Sequence, residues 1–122
     1  MLADEKIEIR NPEATRPWQH VLDPLYGYLI LLKKAVEGDV SSSDAWNFGP
    51  DFSSVITVKQ LVSKLTSAWG EGEYSYIKPS ASITESGFLN FDSSKAKSCF
   101  NWQPVWDIDI TIKKTVEWYK KF

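Results

Sequence analysis

Lys6 to Arg10 reads polar-apolar-polar-apolar-polar, the period-two pattern of a half-buried strand. Asn11-Pro12 ends it. Asp23 followed by Pro24 has the form of an N-cap with proline at the first helical position, and it predicts a helix running to Gly38. Leu25, Leu29, Leu32 and Val36 recur in it at helical spacing and are expected to face inward, with Lys33, Lys34 and Glu37 turned away. Ser41 to Ser43 form a polar loop, and Ala45 to Gly49 read as a short buried strand. The next helix carries the strongest signals. Thr57 and Gln60 fit a capping box, Ile56 and Leu61 a hydrophobic staple, and Val58, Leu61, Val62, Leu65 and Trp69 one apolar face closed by Gly70 and Gly72.

Tyr74 to Ile77 is a predicted strand, Lys78 to Ser86 a polar loop, and Phe88 to Phe91 a second short strand. Asp92 is placed to cap a short helix ending at Phe100, with Asn101 in the left-handed position beyond it. Asp107 caps a last helix with Ile108, Ile112, Val116 and Tyr119 inward. Four helices and three or four short strands result, in an order that repeats no βαβ unit. That predicts a single small α+β domain over residues 1–122 rather than a doubly wound sheet.

Composition narrows this reading. The 122 residues are 43% apolar and 25% charged, a globular balance that excludes a disordered chain, a collagen-like repeat and a coiled coil. The formal net charge of −2, from 14 basic and 16 acidic residues, gives no electrostatic footprint for nucleic acid or an anionic membrane. One Cys and one His make a zinc site an unsuitable reading, and Cys99 is expected as a small buried hydrophobe. Without an apolar leader core at the N-terminus or any apolar run near ~18 residues, the expectation is a soluble, cytoplasmic protein. The six Trp are a heavy load, to be placed in cores or on binding surfaces.

Cofactor machinery is missing from the sequence. Neither G-x-G-x-x-G nor G-x-x-x-x-G-K-[ST] occurs, so no cofactor is expected to be held by this chain alone. Tyr74 and Lys78 match a bare Y-x-x-x-K spacing, but in a strand the two residues stand roughly 13 Å apart, too far to act as one helical turn would let them. The informative stretch is Arg16-Pro17-Trp18-Gln19-His20-Val21, between a strand and a helix. Arg16 offers a planar fork of donors suited to a diphosphate, Trp18 can stack or pack, and Gln19 can hydrogen-bond. For His20 a structural, hydrogen-bonded role stands beside a place at a ligand site.

Taken in order, the run R-N-P-x-A-x-R-P-W-Q-H-V-L from Arg10, W-N-F-G-P from Trp46, D-x-S-K-A from Asp92 and W-x-P-x-W from Trp102 resemble the C-terminal region of the CDP-glucose 4,6-dehydratases. These belong to the extended short-chain dehydrogenases/reductases. The resemblance covers nearly all of the chain from about Lys6 onward. It implies a parent whose N-terminal Rossmann domain binds NAD and carries the catalytic groups, and a C-terminal substrate-binding lobe, represented here without that Rossmann domain. By this resemblance Arg16 corresponds to a contact of the substrate diphosphate and Glu85 to an acidic position near the nucleotide ribose. Trp18, Gln19 and His20 match the motif, either as ligand contacts or as groups that fix the turn aiming Arg16. Trp46, Trp69, Trp102 and Trp118 correspond to core positions. The sequence departs from the family at Ser82 to Ser86, where a P-H-E-A-like run is usual, and at Phe100-Asn101-Trp102, where L-G-W is usual.

Two functions follow as expectations. In the first the chain is the nucleotide-sugar-binding portion, for a CDP-glucose-like ligand, of an NAD-dependent sugar-nucleotide dehydratase, inactive by itself. In the second it is a truncated, free-standing module that meets a missing Rossmann domain or self-associates through the apolar surface such a partner would cover, and binds no ligand.

Overall fold

The computed structural model describes residues 6–77 and 87–122. Within them lie four helices, α1 (Leu22–Val36), α2 (Val58–Trp69), α3 (Ser94–Phe100) and α4 (Ile108–Lys121), and four three-residue strands, β1 (Ile7–Ile9), β2 (Thr15–Pro17), β3 (Val55–Thr57) and β4 (Tyr74–Tyr76). The strands make two separate ribbons. β1 pairs parallel with β4, Ile7 opposite Tyr74, and β2 pairs antiparallel with β3, Arg16 opposite Ile56.

α2 forms as its sequence directs. Thr57 accepts from the Gln60 N–H while the Gln60 side chain accepts from the Thr57 N–H, at 3.1 and 2.9 Å. The two remaining first-turn donors, Val58 N–H and Lys59 N–H, reach the carbonyls of Ala14 and Pro12, both at 2.9 Å. Helix starts leave such N–H groups unpaired, so the bend at Pro12–Ala14 is held by the donors it satisfies. Leu61, Leu65 and Trp69 of α2, with Ile56 and Trp18, pack on Ile108, Ile112 and Val116 of α4, which are 5–6% exposed. Asp107 caps α4 by accepting from the Ile110 N–H at 2.8 Å, as predicted. Asn101 closes α3 with φ 51° and ψ 27°, a left-handed conformation that asparagine tolerates.

A second cluster joins Phe48, Ala96 and the fully buried Trp102, with Ile30, Leu31, Trp46 and Phe100 against it. α1 reaches it through Gly27. A Cβ there would sit 2.5 Å from the Phe48 ring, so only glycine permits this approach.

Several expectations are corrected here. α1 starts before Asp23, and Asp23 is not its cap. The Leu22 N–H goes to His20 Nδ1 at 3.2 Å, while Asp23, 4% exposed, turns its carboxylate to the Val105 N–H at 3.0 Å. The face of α1 turned to this chain holds Asp23, Gly27, Ile30 and Leu31; Leu25, Leu29, Leu32 and Val36 are 44–81% exposed. The helix is apolar on both sides, so spacing alone selects neither. Ala45 to Gly49 has Phe48 and Gly49 buried but pairs with no strand among the described residues. Phe88 to Phe91 contributes a single bridge, Thr15 with Phe88, and its two phenylalanines are exposed. Three-residue ladders flank these segments, and nothing in either segment's sequence marks which of them finds a partner. Cys99 is exposed. It lies on the solvent side of a seven-residue helix whose inward position is Ala96. Trp118 and Tyr119 are 55% and 47% exposed, because Val116 already fills the inward position of that turn of α4. α3 has Ser93 as its cap residue, and Asp92 supplies the acceptor one residue earlier, taking the Ser94 N–H at 2.8 Å.

Candidate functional site

The segment Arg16 to Leu22 passes from β2 into α1, and each of its side chains has a different task. Arg16 is not on a loop but on β2, half-buried, with Nη1 donating to the Thr15 carbonyl at 2.9 Å. The strand is held on both sides. β3 pairs with it, and Thr15 exchanges bonds with the Gly87 carbonyl at 2.9 Å and the Leu89 N–H at 3.3 Å. A guanidinium on a strand fixed in this way starts from a defined backbone position, which lowers the ordering cost of gripping an anion.

Trp18 serves the fold. Its ring packs on the α2–α4 cluster and Nε1–H donates to the Ile56 carbonyl at 3.1 Å. Gln19 donates from Nε2 to the Phe48 carbonyl at 2.8 Å, tying the turn to the other cluster, while its Oε1 is buried without a partner among the described atoms. His20 stacks edge-on against Trp106, ring centres 4.6 Å apart. Since its Nδ1 accepts, the neutral ring carries its proton on Nε2. Gln19 and His20 also line a groove of about 580 Å³ with Val21, Leu22, Thr115, Trp118 and Tyr119. Arg16 and Trp18 are not among its walls. The five candidates therefore do not converge: Trp18 and Gln19 fix the turn, His20 opens on the groove, Arg16 stands on the strand, and Glu85 lies outside the described residues. Trp106, Trp118 and Tyr119 were missed as surroundings of His20.

The carboxyls held below their usual 3.8 lie away from this segment. Asp39 is lowered by hydrogen bonds from Ser41, Asp44 by the Lys95 ammonium, and Asp92 by hydrogen bonds from Ser94. Among the described residues no three His, Cys, Asp or Glu converge on a metal-sized space, and no helix is long and apolar enough to cross a membrane.

No family model matches the sequence. Against the curated proteins, the chain is 34% identical over 117 residues to CDP-glucose 4,6-dehydratase of Salmonella typhimurium, covering 96% of this chain and 33% of that enzyme, in its C-terminal part. The chain is related to the closing third of a sugar-nucleotide dehydratase. Solved structures agree in fold. dTDP-glucose 4,6-dehydratase of Bacillus anthracis, in complex with NAD, superposes with a TM-score of 0.79 at 22% identity over 98% of this chain and 36% of that one. UDP-glucose 4-epimerase of Thermotoga maritima, with UDP-glucose, gives 0.79 at 28% identity over 99% and 37%. The likeness in fold thus takes in a dehydratase and an epimerase of sugar nucleotides, and the chain spans about a third of the length of each.

An NAD-binding relative raises the question of whether these residues fit a dinucleotide. Among the described residues Gly70 and Gly72 follow α2 and precede β4, the reverse of the strand-to-helix turn that cradles a pyrophosphate.

Proposed function

We propose that this chain is the substrate-binding lobe of an NAD-dependent sugar-nucleotide 4,6-dehydratase, holding a CDP-glucose-like ligand while a separate Rossmann unit supplies NAD and the catalytic groups. The observation that carries this reading is the 34% identity to CDP-glucose 4,6-dehydratase across 96% of the chain. The fixed strand under Arg16 supports it, since a guanidinium there is held ready for a diphosphate. Trp18 and Gln19 act by holding the turn that aims Arg16. The lobe positions substrate and does no chemistry alone, and its compartment is the cytoplasm, where nucleotide sugars are made.

Titration calorimetry with CDP-glucose, CDP and cytidine tests this. The two diphosphates bind weakly, cytidine gives no heat, and Arg16→Ala weakens the diphosphates by about tenfold or more, the loss of a charge-assisted hydrogen bond. Equal heats for wild type and Arg16→Ala overturn the role of Arg16, and no heat from any diphosphate overturns the lobe's independent binding.

A further inference from the structure

One residue holds the start of α1. The N-cap residue, Val21, makes no side-chain cap, so the first donors of the helix turn to His20. The Leu22 N–H goes to His20 Nδ1 at 3.2 Å, and the Asp23 N–H to the His20 carbonyl at 3.1 Å. Pro24 has no N–H, and the Leu25 N–H already reaches the Val21 carbonyl at 3.3 Å. His20 also closes the run that leaves Arg16. Within that run Trp18 is tied to the Ser54 and Ile56 carbonyls and Gln19 to the Phe48 carbonyl. Of all these ties only the Nδ1 bond depends on a group that takes up a proton close to neutrality; an imidazole ordinarily does so near about pH 6.5.

We propose that His20 is a positioning residue that holds the start of α1, and with it the turn leaving Arg16, only while its ring is neutral. A proton on Nδ1 turns that nitrogen from acceptor into donor and sets N–H against N–H at Leu22. The charge that arrives with it stands at a helix N-terminus, where the macrodipole disfavours a cation. The turn is therefore held above the imidazole range and let go as pH falls through it. Trp106 meets the ring edge-on at 4.6 Å, and an aromatic ring tolerates a cation, so this contact keeps the ring in place in either state but offers the Leu22 N–H no acceptor. Across the groove α4 presents Thr115, Trp118 and Tyr119. Of these only the phenol titrates, ordinarily near about pH 10. The flanking carboxylates are engaged elsewhere, Asp23 on the Val105 N–H and Asp107, beside Trp106, on the Ile110 N–H. The Nδ1 bond spans three residues of one turn and is made whatever covers the outer faces of the helix.

The chain's single His makes the test direct. Long-range proton–nitrogen spectra of the whole chain read the ring's tautomer, and backbone amide spectra follow Arg16, Gln19 and Leu22 from about pH 7.5 to about 5.5. The expected result is the Nε2–H tautomer at the upper end and amides that shift along the ring's own titration. His20→Asn puts an oxygen as many bonds from Cβ as Nδ1 and does not titrate, so its Leu22 amide stays bonded and flat with pH. His20→Gln sets its oxygen one bond further out and leaves Leu22 unbonded throughout. Calorimetry adds a ligand arm that rests on the assigned role of Arg16. CDP-glucose keeps its diphosphate charge over this window, and its affinity falls about threefold or more on acidification in wild type but not in His20→Asn. A proton on Nδ1 at the upper end, Leu22 and Gln19 amides that ignore the ring, or an affinity that falls equally in His20→Asn overturns the proposal. So does restoration by His20→Gln where His20→Asn fails, which assigns the ring to a direct contact through Nε2. Absence of CDP-glucose binding at every pH, with the amides behaving as expected, overturns the lobe's independent binding and upholds the role of His20.

Discussion

α1 and α2 carry almost the same message in sequence, and only one of them is read correctly. Each has leucines at helical spacing followed by a glycine. In α2 the remaining positions are Lys59, Ser63, Lys64, Ser67 and other small or polar residues, so one face alone can be inward, and it is. In α1 the leucine face competes with Gly27, Ile30 and Leu31. Gly27 wins because it is the one position where the helix can approach Phe48 without a Cβ in the way. An amphipathic pattern fixes orientation only when its other side is polar. A helix apolar on both sides is built to be covered on both.

The largest test of this contrast is Trp102, the fully buried floor under α1, whose Nε1–H donates to the Asp23 carbonyl at 3.3 Å. Trp102→Ala is expected to cost about 3–5 kcal/mol in denaturant unfolding; a loss under about 1 kcal/mol would break the picture of α1 seated on that cluster. Next comes a matched pair. Leu65→Ala on the inward face of α2 should cost about 2 kcal/mol, whereas Leu29→Ala, measured at concentrations where the chain is monomeric, should stay within about 0.5 kcal/mol. Equal costs would mean that α1's outer face is covered within one copy. Thr57→Ala removes the acceptor for the Gln60 N–H and is expected to cost about 1 kcal/mol by thermal unfolding; no change would show that the Pro12 and Ala14 carbonyls hold the start of α2 unaided.

The smallest effect is acid sensitivity. Asp39, Asp44 and Asp92 are held below 3.8 by hydrogen bonds and an ammonium partner. A carboxyl depressed in the folded state stabilises above its unfolded value, and that stability drains as pH falls through the folded one. Stability should therefore decline below about pH 4, and Asp92→Asn should make the decline shallower in acid titrations followed by tryptophan fluorescence. An unchanged slope would remove Asp92 from the groups that respond.

What was legible in the sequence was local chemistry with one available answer. Thr57 with Gln60, Asp107 with Ile110, and Asn101 after Phe100 are short-range hydrogen-bond or backbone requirements, and each is realised. What was not legible depended on distant partners. Asp23 looks like a cap, yet its partner is the Val105 N–H, 82 residues on. Ala45 to Gly49 looks like a strand, yet strands exist only in pairs. β2 escaped notice because its three residues, ending in Pro17, give no alternation to read. At the candidate site, the motif around Arg16 drew attention to the right turn, but the buried bonds of Trp18 and Gln19 are long-range contacts that no spacing discloses.

Asp23 carries a consequence for the order in which this protein assembles. Its carboxylate holds Val105 and its carbonyl holds Trp102, so the seat of the first helix is made from chain that leaves the ribosome some eighty residues later. Contacts of such separation close large loops and form late. During synthesis α1 exists as sequence well before it exists as a docked element, and until the W-x-P-x-W stretch arrives only Phe48 is there to meet Gly27 and mark the inward face. A nascent chain stopped short of Trp102 lacks both of the bonds that Asp23 makes.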